Sequence, residues 1–170
     1  MIRLRRRRSA RSERGAELIE LMLVTPLLLL MFAAIFDFGM MFRSWEVITN
    51  AAREGARIAI LPGFSADENV VARVQAYMSS GGVLAAADTC SVQTIDKDGK
   101  CPSSACSVCI KNSPIVTPAG TFTGRSVTVV ADQSLPSLSG FAPFFGGSFG
   151  TIAVGSSSVM RSEAAASAGP

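Results

Sequence analysis

Residues 21–36 read LMLVTPLLLLMFAAIF and contain no charged side chain. Extending this stretch to residues 18–42 adds two acids, Glu20 and Asp37, and gives a helix about 37 Å long at about 1.5 Å per residue. A bilayer core of about 30 Å is crossed by about 20 such residues. A surface helix of a soluble domain would show a polar face, which this stretch lacks. The stretch therefore predicts a transmembrane helix.

The residues before this helix set its predicted orientation. Seven of the sixteen Lys and Arg residues are arginines within the first fourteen positions, whereas the rest of the chain is net acidic. Because positive flanks stay in the cytoplasm, we expect the N-terminus inside and the C-terminal part outside. A cleaved secretory signal peptide is the main alternative. It would have a shorter apolar core and an A-x-A-like cleavage site, which is not found after this stretch.

The composition excludes several classes of function. The chain contains no histidine, which removes Ser-His-Asp and Cys-His catalysis and histidine-based zinc sites. The serine of the GGSFG sequence at residues 146–150 has no histidine to activate it. The arginine cluster is followed at once by the apolar stretch, and no later basic patch alternates with aromatic residues. We therefore expect no enzyme activity, no catalytic residue, no cofactor, no metal, no nucleic acid and no small-molecule substrate.

All four cysteines lie beyond the apolar stretch. They are Cys90, Cys101, Cys106 and Cys109. An even number of cysteines in an exported segment favours two disulfides, and three pairings are possible. A zinc site would need two closely spaced pairs, but only Cys106 and Cys109 are close in sequence. We expect two disulfides, and the sequence leaves their pairing open.

The helical pattern continues beyond the membrane over residues 43–61, and Pro62 and Gly63 end it. One side of this extension carries a strip of small residues at helical spacing. The strip consists of Ala51, Gly55 and Ala59, with Ala52 and Ala56 beside them. Small residues allow another helix to approach closely. We therefore expect the strip to contact a helix of a neighbouring subunit. The alternative is that the strip is the face that packs against this chain's own sheet.

The C-terminal part predicts a second helix over residues 66–78 and a small antiparallel sheet. The four predicted strands cover residues 91–95, 108–110, 126–131 and 151–160. Residues 141–149 read FAPFFGGSF and are expected to form a loop that packs its phenylalanines against the sheet. A contact patch or a membrane-surface loop is the alternative for this segment.

The predicted fold is α+β, with a long N-terminal transmembrane helix and a small antiparallel sheet packed on its exposed half. The predicted organisation has four parts. They are a basic leader at residues 1–15, a transmembrane helix at 16–42, a helix extension at 43–63, and an exported, disulfide-bearing α+β domain at 64–170.

The junction between the leader and the apolar helix reads GAELIE at residues 15–20. Cleavage after Gly15 would create a positive amine at Ala16 and leave Glu20 as the fifth residue of the shortened chain. An acid within a membrane segment is costly and requires a partner. The Ala16 amine of a neighbouring subunit could be that partner. Alternatively, Glu20 reaches water at the helix end, and the spacing leaves both possibilities open.

Several segments together resemble the TadE-like pseudopilins of Tad (Flp) pilus systems. They are the leader, Gly15, Glu20, Pro26, the FDFG sequence at residues 36–39 and the NAAREGAR sequence at residues 50–57. NAAREGAR is the most specific of these segments, and AVGSSSVMRSE at residues 153–163 resembles the last strand of the family. The resemblance is dense over residues 14–61 and thin over residues 64–150.

This resemblance implies a minor pilin that a prepilin peptidase cuts between Gly15 and Ala16. Such a protein takes part in assembling a pilus for adhesion or secretion, together with other Tad pilins and pilus assembly proteins. Its expected location is the bacterial inner membrane, with the C-terminal domain in the periplasm or outside the cell, or the pilus itself. Leu21 stands where major Flp pilins typically carry tyrosine, and the large C-terminal body also separates the chain from the main filament subunit.

The residues expected at assembly contacts are Glu20, Ala51, Gly55 and Ala59. A single-pass membrane-anchored binding or sensor protein, unrelated to a pilus, is the alternative function. An uncut leader would favour that alternative.

Overall fold

The computed structural model describes residues 10–85, 87–118, 120–145 and 150–161. In chain order the elements are α1 (Ala10–Ala59), α2 (Asp67–Ser80), β1 (Ser91–Val92), β2 (Ser107–Thr117), β3 (Gly120–Ser134), α3 (Pro136–Phe145) and β4 (Thr151–Arg161). The strands form one four-stranded sheet in the order β1-β2-β3-β4. The sheet and α2 pack on the second half of α1, so the predicted α+β fold is confirmed.

The long helix α1 has 50 residues and runs through Pro26. Proline has no N–H to donate to the carbonyl four residues earlier. One position before it, the Thr25 hydroxyl donates to the Leu21 carbonyl at 2.6 Å. The helix ends at Ala59, slightly before the predicted end, and the following turn includes Gly63 at a φ of 85°. A positive φ of this size is one that glycine adopts without strain.

The sheet is mixed. β2 pairs antiparallel with β3, and β3 pairs antiparallel with β4, but β1 runs parallel to β2, with Ser91 opposite Ser107. The prediction of a wholly antiparallel sheet is therefore wrong at this edge. A disulfide joins Cys90 and Cys106, the residues directly before the two strands. It holds the two strand starts side by side, which is compatible with the parallel direction of the two strands.

The hydrophobic core lies between the second half of α1, α2 and the sheet. Helix α2 buries Val70, Val74 and Met78 at intervals of four residues, which place all three on one helical face. Strand β3 buries Val127 and Val129 at the two-residue interval of a strand. Fully burying a valine or methionine side chain contributes about 1.5–3 kcal/mol. These residues therefore hold the C-terminal body on α1.

Helix α3 corrects the expected loop over residues 141–149. Residues 141–145 are the second half of α3, and residues 146–149 lie outside the described residues. The helix begins at Pro136, and proline is favoured at the first helical position because its missing N–H would be unpaired there in any case. Helix α3 connects β3 to β4, so it lies at the end of the sheet where Ser134 pairs with Thr151.

Candidate functional site on the two halves of the long helix

The first half of α1, before about residue 42, exposes most of its large apolar side chains. Met22 is 79% exposed and Phe32 is 71% exposed. Within this helix an 18-residue window has a mean hydropathy of 2.5, and only 6% of that window is buried inside the protein. A core helix of a soluble protein with this composition would be mostly buried. The helix is long and apolar enough to cross a membrane, which is consistent with a single-pass anchor.

The predicted cleavage site lies at the start of this exposed half. Gly15 and Ala16 are both in α1 and exposed, and a side chain placed on Gly15 would meet no heavy atom within 4 Å. Glu20 lies on the same helix, about 6 Å further along its axis than Ala16, and is exposed. Within the described part of the chain, no hydrogen bond or ion pair engages Glu20. Its carboxylate is thus available to an external group.

Asp37 is an acid in this half to which the sequence alone assigns no role. It is 1% exposed, and both carboxylate oxygens accept backbone hydrogen bonds from α3. The Ser137 N–H donates to Oδ1 at 3.1 Å, and the Leu138 N–H donates to Oδ2 at 2.7 Å. The first N–H groups of a helix have no partner within the helix and carry partial positive charge. Asp37 therefore caps α3 from another element.

The sequence contained a signal for this site, although only in two separate pieces. An acid inside an apolar helix requires a partner, and Pro136 is typical of a helix start. Leu135, the residue before α3, has no side-chain acceptor that could cap it. The missing acceptor comes from Asp37, about a hundred residues earlier in the chain.

The small-residue strip is buried in the core of the protein. Ala51, Gly55 and Ala59 are all buried in the core. A Cβ atom on Gly55 would lie 2.7 Å from Val74 Cγ2 and 3.3 Å from Val127 Cγ1. The helix that approaches the strip is therefore α2 of the same chain. Within one chain the body thus covers the strip, with β3 of the sheet as well as α2 beside Gly55, and a role of the strip in assembly stays a prediction.

The NAAREGAR segment holds α2 as well. Its Glu54 accepts two hydrogen bonds from the Arg73 guanidinium, at 3.2 Å from Nε and 2.9 Å from Nη2. Arg57 lies 3.9 Å from the same carboxylate, and Arg53 points away from the core and is exposed. The segment thus combines small residues that contact the body with charged residues at its edge.

A second arginine, Arg125, contacts the end of α1 and the start of α2. The Arg125 side chain on β3 donates to the Ala59 carbonyl at 3.2 Å, to the Ser65 carbonyl, and to Asp67. The Ala59 carbonyl is one of the last of α1, which have no partner within the helix. Arg125 therefore joins the end of α1 to the start of α2.

The four cysteines form two disulfides, as expected. Cys90 pairs with Cys106, and Cys101 pairs with Cys109. Cys90 and Cys106 both belong to the hydrophobic core, and Cys109 of the second bridge is 1% exposed. Among the described residues, no group of three or more acidic or cysteine side chains could hold a metal ion.

These features define a class of protein: an α+β body carried on the second half of one long helix whose apolar first half is exposed. Residues 15–57 match the family model described as TadE-like protein, which confirms the resemblance. The match suggests a pilin-like protein associated with the Tad pilus. No curated protein and no solved structure matches the chain.

Proposed function

We propose that the chain is a minor pilin of a Tad (Flp) pilus, which takes part in pilus assembly for adhesion or secretion. The observation that carries this proposal is the extent of the family match. It begins at Gly15, the predicted cleavage site, and ends at Arg57, the last residue of NAAREGAR. It therefore covers the whole exposed half of α1 and the segment that holds the body.

In this proposal α1 inserts the chain into the bacterial inner membrane, with the leader in the cytoplasm and the body outside. A prepilin peptidase then cuts between Gly15 and Ala16. Among the described residues, no atom beyond the adjoining backbone of α1 lies within 4 Å of a Cβ placed on Gly15, which is compatible with access to a peptidase. Cleavage removes the arginine-rich leader, so the exposed apolar half becomes the N-terminal end of the mature chain.

Glu20 has the second role in this proposal. After cleavage, the Ala16 amine is positive and the Glu20 carboxylate is negative. Within one helix the two groups are separated by about one turn, so staggered neighbouring helices can bring the amine of one chain to the carboxylate of the next. Such a pair would offset the cost of placing the acid in the membrane, which is on the order of 3 kcal/mol at the centre of a span.

Mass spectrometry of the membrane-bound protein tests the cleavage step. We expect a mature chain that starts at Ala16, and we expect Gly15→Val to prevent cleavage by crowding the peptidase site. Gly39→Val is the matched control, because Gly39 lies on the same helix and also has no atom within 4 Å of a Cβ. An intact leader in the wild-type protein would favour an unprocessed anchor protein instead.

Copurification with the cognate pilins tests the role of Glu20. We expect Glu20→Gln to leave the membrane level and cleavage unchanged while it abolishes copurification. Glu17→Gln is the matched control, since Glu17 is exposed on the same helix and is expected to tolerate the change. Wild-type copurification of the Glu20 variant would show that this carboxylate only reaches water at the membrane surface.

A further inference from the structure

The body of the protein contacts α1 not only along its second half but also within its apolar first half. Asp37 is held by the N-terminus of α3, and Ala33, one helical turn closer to the N-terminus, is only 6% exposed. The neighbouring residues Phe32 and Phe36 remain exposed. The contact between α3 and α1 at Asp37 therefore lies within the apolar stretch, and buried Ala33 lies one turn closer to the N-terminus.

The depth of this contact follows from helix geometry. A hydrocarbon core of about 30 Å takes about 20 helical residues. Counted from Leu18 these residues end at Asp37, and counted from Leu21 they end at Met40. In either register Asp37 lies within about one helical turn, or 5.4 Å, of the outer edge of the hydrocarbon core. Ala33 lies deeper by about one further turn.

The segment that contacts α1 at this depth is uncharged. No Asp, Glu, Lys or Arg occurs between Asp132 and Arg161. Helix α3 itself reads PSLSGFAPFF, with three phenylalanines. Two of its first backbone N–H groups, which have no partner within the helix, donate to Asp37. An uncharged helix with its end capped is suited to the boundary between lipid and water.

The exposed surface beside α3 is apolar as well. Phe38, Phe42 and Trp45 on α1 and Ile152 at the start of β4 are all exposed. Between α1 and β4 lies a groove of about 380 Å³, lined by Met41, Phe42, Trp45, Ile152, Ala153, Val154 and Gly155. Tryptophan is enriched at membrane–water interfaces, where its ring contacts apolar and polar groups together. Trp45 thus marks the level at which this surface ends.

We propose that α3 and this adjoining groove are embedded in the outer leaflet, with lipid acyl chains as their occupant. In this arrangement the body contacts the bilayer directly and is not held away from it by an uncovered stretch of α1. Asp37 fixes the depth at which α3 lies. The proposal rests on the membrane anchor of the proposed function. Lipid is the occupant that continuity favours, because the surface is an extension of the apolar membrane span and carries no charge that would select a polar partner.

Tryptophan quenching in vesicles tests this proposal on the full-length chain. Trp45 is the only tryptophan, so a Trp45→Phe background allows a single tryptophan to be placed elsewhere. The test position is Gly140 on α3, where a Cβ meets no atom within 4 Å. Val116, 78% exposed near the β2–β3 turn, is the control outside the membrane, and Phe32 is the control within the span. Phosphatidylcholine vesicles with and without acyl-chain bromine supply the lipid quencher, and iodide supplies the aqueous one.

We expect Gly140→Trp and Phe32→Trp to lose most of their emission in brominated vesicles, and Val116→Trp to lose it only to iodide. Emission from Gly140→Trp that follows the Val116 control would overturn the proposal. Shielding from iodide without quenching by lipid would also overturn it, since a protein surface would then cover α3. Ser139→Trp, at another exposed α3 position, replaces Gly140→Trp if that variant fails to fold.

The Phe32 control separates this proposal from the proposed function. A quenched Phe32→Trp with an unquenched Gly140→Trp would remove α3 from the membrane and leave the anchor in place. An unquenched Phe32→Trp would remove the anchor on which both proposals depend.

Discussion

The two halves of α1 differ in the size of their side chains and in what covers them. The first half carries leucine, methionine and phenylalanine residues that are largely exposed, whereas the second half carries buried alanines and a buried glycine. A Cβ on Gly39 in the first half would meet nothing within 4 Å, but a Cβ on Gly55 in the second half would meet Val74 Cγ2 at 2.7 Å. The same helix therefore carries large residues where it is exposed and small residues where its own body covers it.

This difference has a physical reason. Lipid tails adapt to an irregular surface, so bulky side chains in the exposed half would gain apolar contact in a membrane without a matching partner. A folded body is close-packed and does not adapt, because even one methylene group changes its packing. Small residues in the second half allow α2 and β3 to approach the α1 backbone.

Removal of the Cys90–Cys106 disulfide is expected to have the largest effect, and only on the body. Replacing both residues by alanine should lower the free energy of unfolding by about 2–5 kcal/mol. The bridge fixes the parallel start of β1 and β2, and the Cys106 sulfur lies 3.7 Å from the Met78 sulfur in the core. Chemical unfolding in detergent and limited proteolysis in vesicles would measure the loss.

The other disulfide provides the comparison for this prediction. Cys101 and Cys109 are 8 residues apart, against 16 for the first pair, so replacing both by alanine should cost somewhat less. In both variants the membrane half of α1 should remain protected from protease. Cleavage within that half would contradict the separation of the two halves.

Gly55→Leu should be the next largest change. The leucine would overlap Val74 and Val127, and overpacking of this kind typically costs about 1–3 kcal/mol. Gly39→Leu introduces the same side chain into the exposed half and should leave the body's stability unchanged. Thermal unfolding of both variants in detergent compares the two halves directly. Equal losses of stability would show that the halves do not differ in packing.

Asp37→Ala should release α3 from α1. The substitution leaves the Ser137 and Leu138 N–H groups without their acceptor, at a cost of about 2 kcal/mol, while it removes a charge that opposes membrane insertion. Hydrogen exchange of these two amides should accelerate, and the membrane level should be unchanged or higher. Asp37→Asn keeps one carbonyl acceptor and should give a smaller acceleration. Unchanged exchange in the alanine variant would rule out the cap.

Arg73→Ala should have the smallest effect. The Arg73–Glu54 pair joins α2 to α1, but the Arg73 side chain is half-exposed, and exposed ion pairs contribute about 0.2–1 kcal/mol. Arg53→Ala is the control, because no ion pair among the described residues includes Arg53. The difference between their unfolding midpoints measures the pair. A loss as large as that of Gly55→Leu would mean that charge, and not close packing, holds α2.

The helices α1 and α2 could be predicted because their signals are local. An uncharged apolar run marks α1, and the four-residue spacing of Val70, Val74 and Met78 marks α2. The strip around Gly55 correctly predicted the close approach of a helix. It did not predict which helix, because periodicity identifies a smooth face without identifying the chain that covers it.

The parts that the sequence did not predict depend on contacts between distant residues. Helix α3 receives its cap from Asp37, about a hundred residues away. The glycines and prolines of this segment instead favoured the prediction of a loop. The parallel β1 lies beside the Cys90–Cys106 bridge, which belongs to one of three possible pairings. Neither the Asp37 cap nor the Cys90–Cys106 pairing can be predicted from the local sequence.

The division of α1 is tested most directly by photo-crosslinking in cells that make the cognate pilins. A photoreactive residue would replace Met22 or Phe32 in the exposed first half, or Arg57, which is exposed in the second half. We predict covalent adducts with other pilins from the two first-half positions and none from position 57. Adducts from position 57, with none from positions 22 and 32, would contradict the assignment of the first half to assembly.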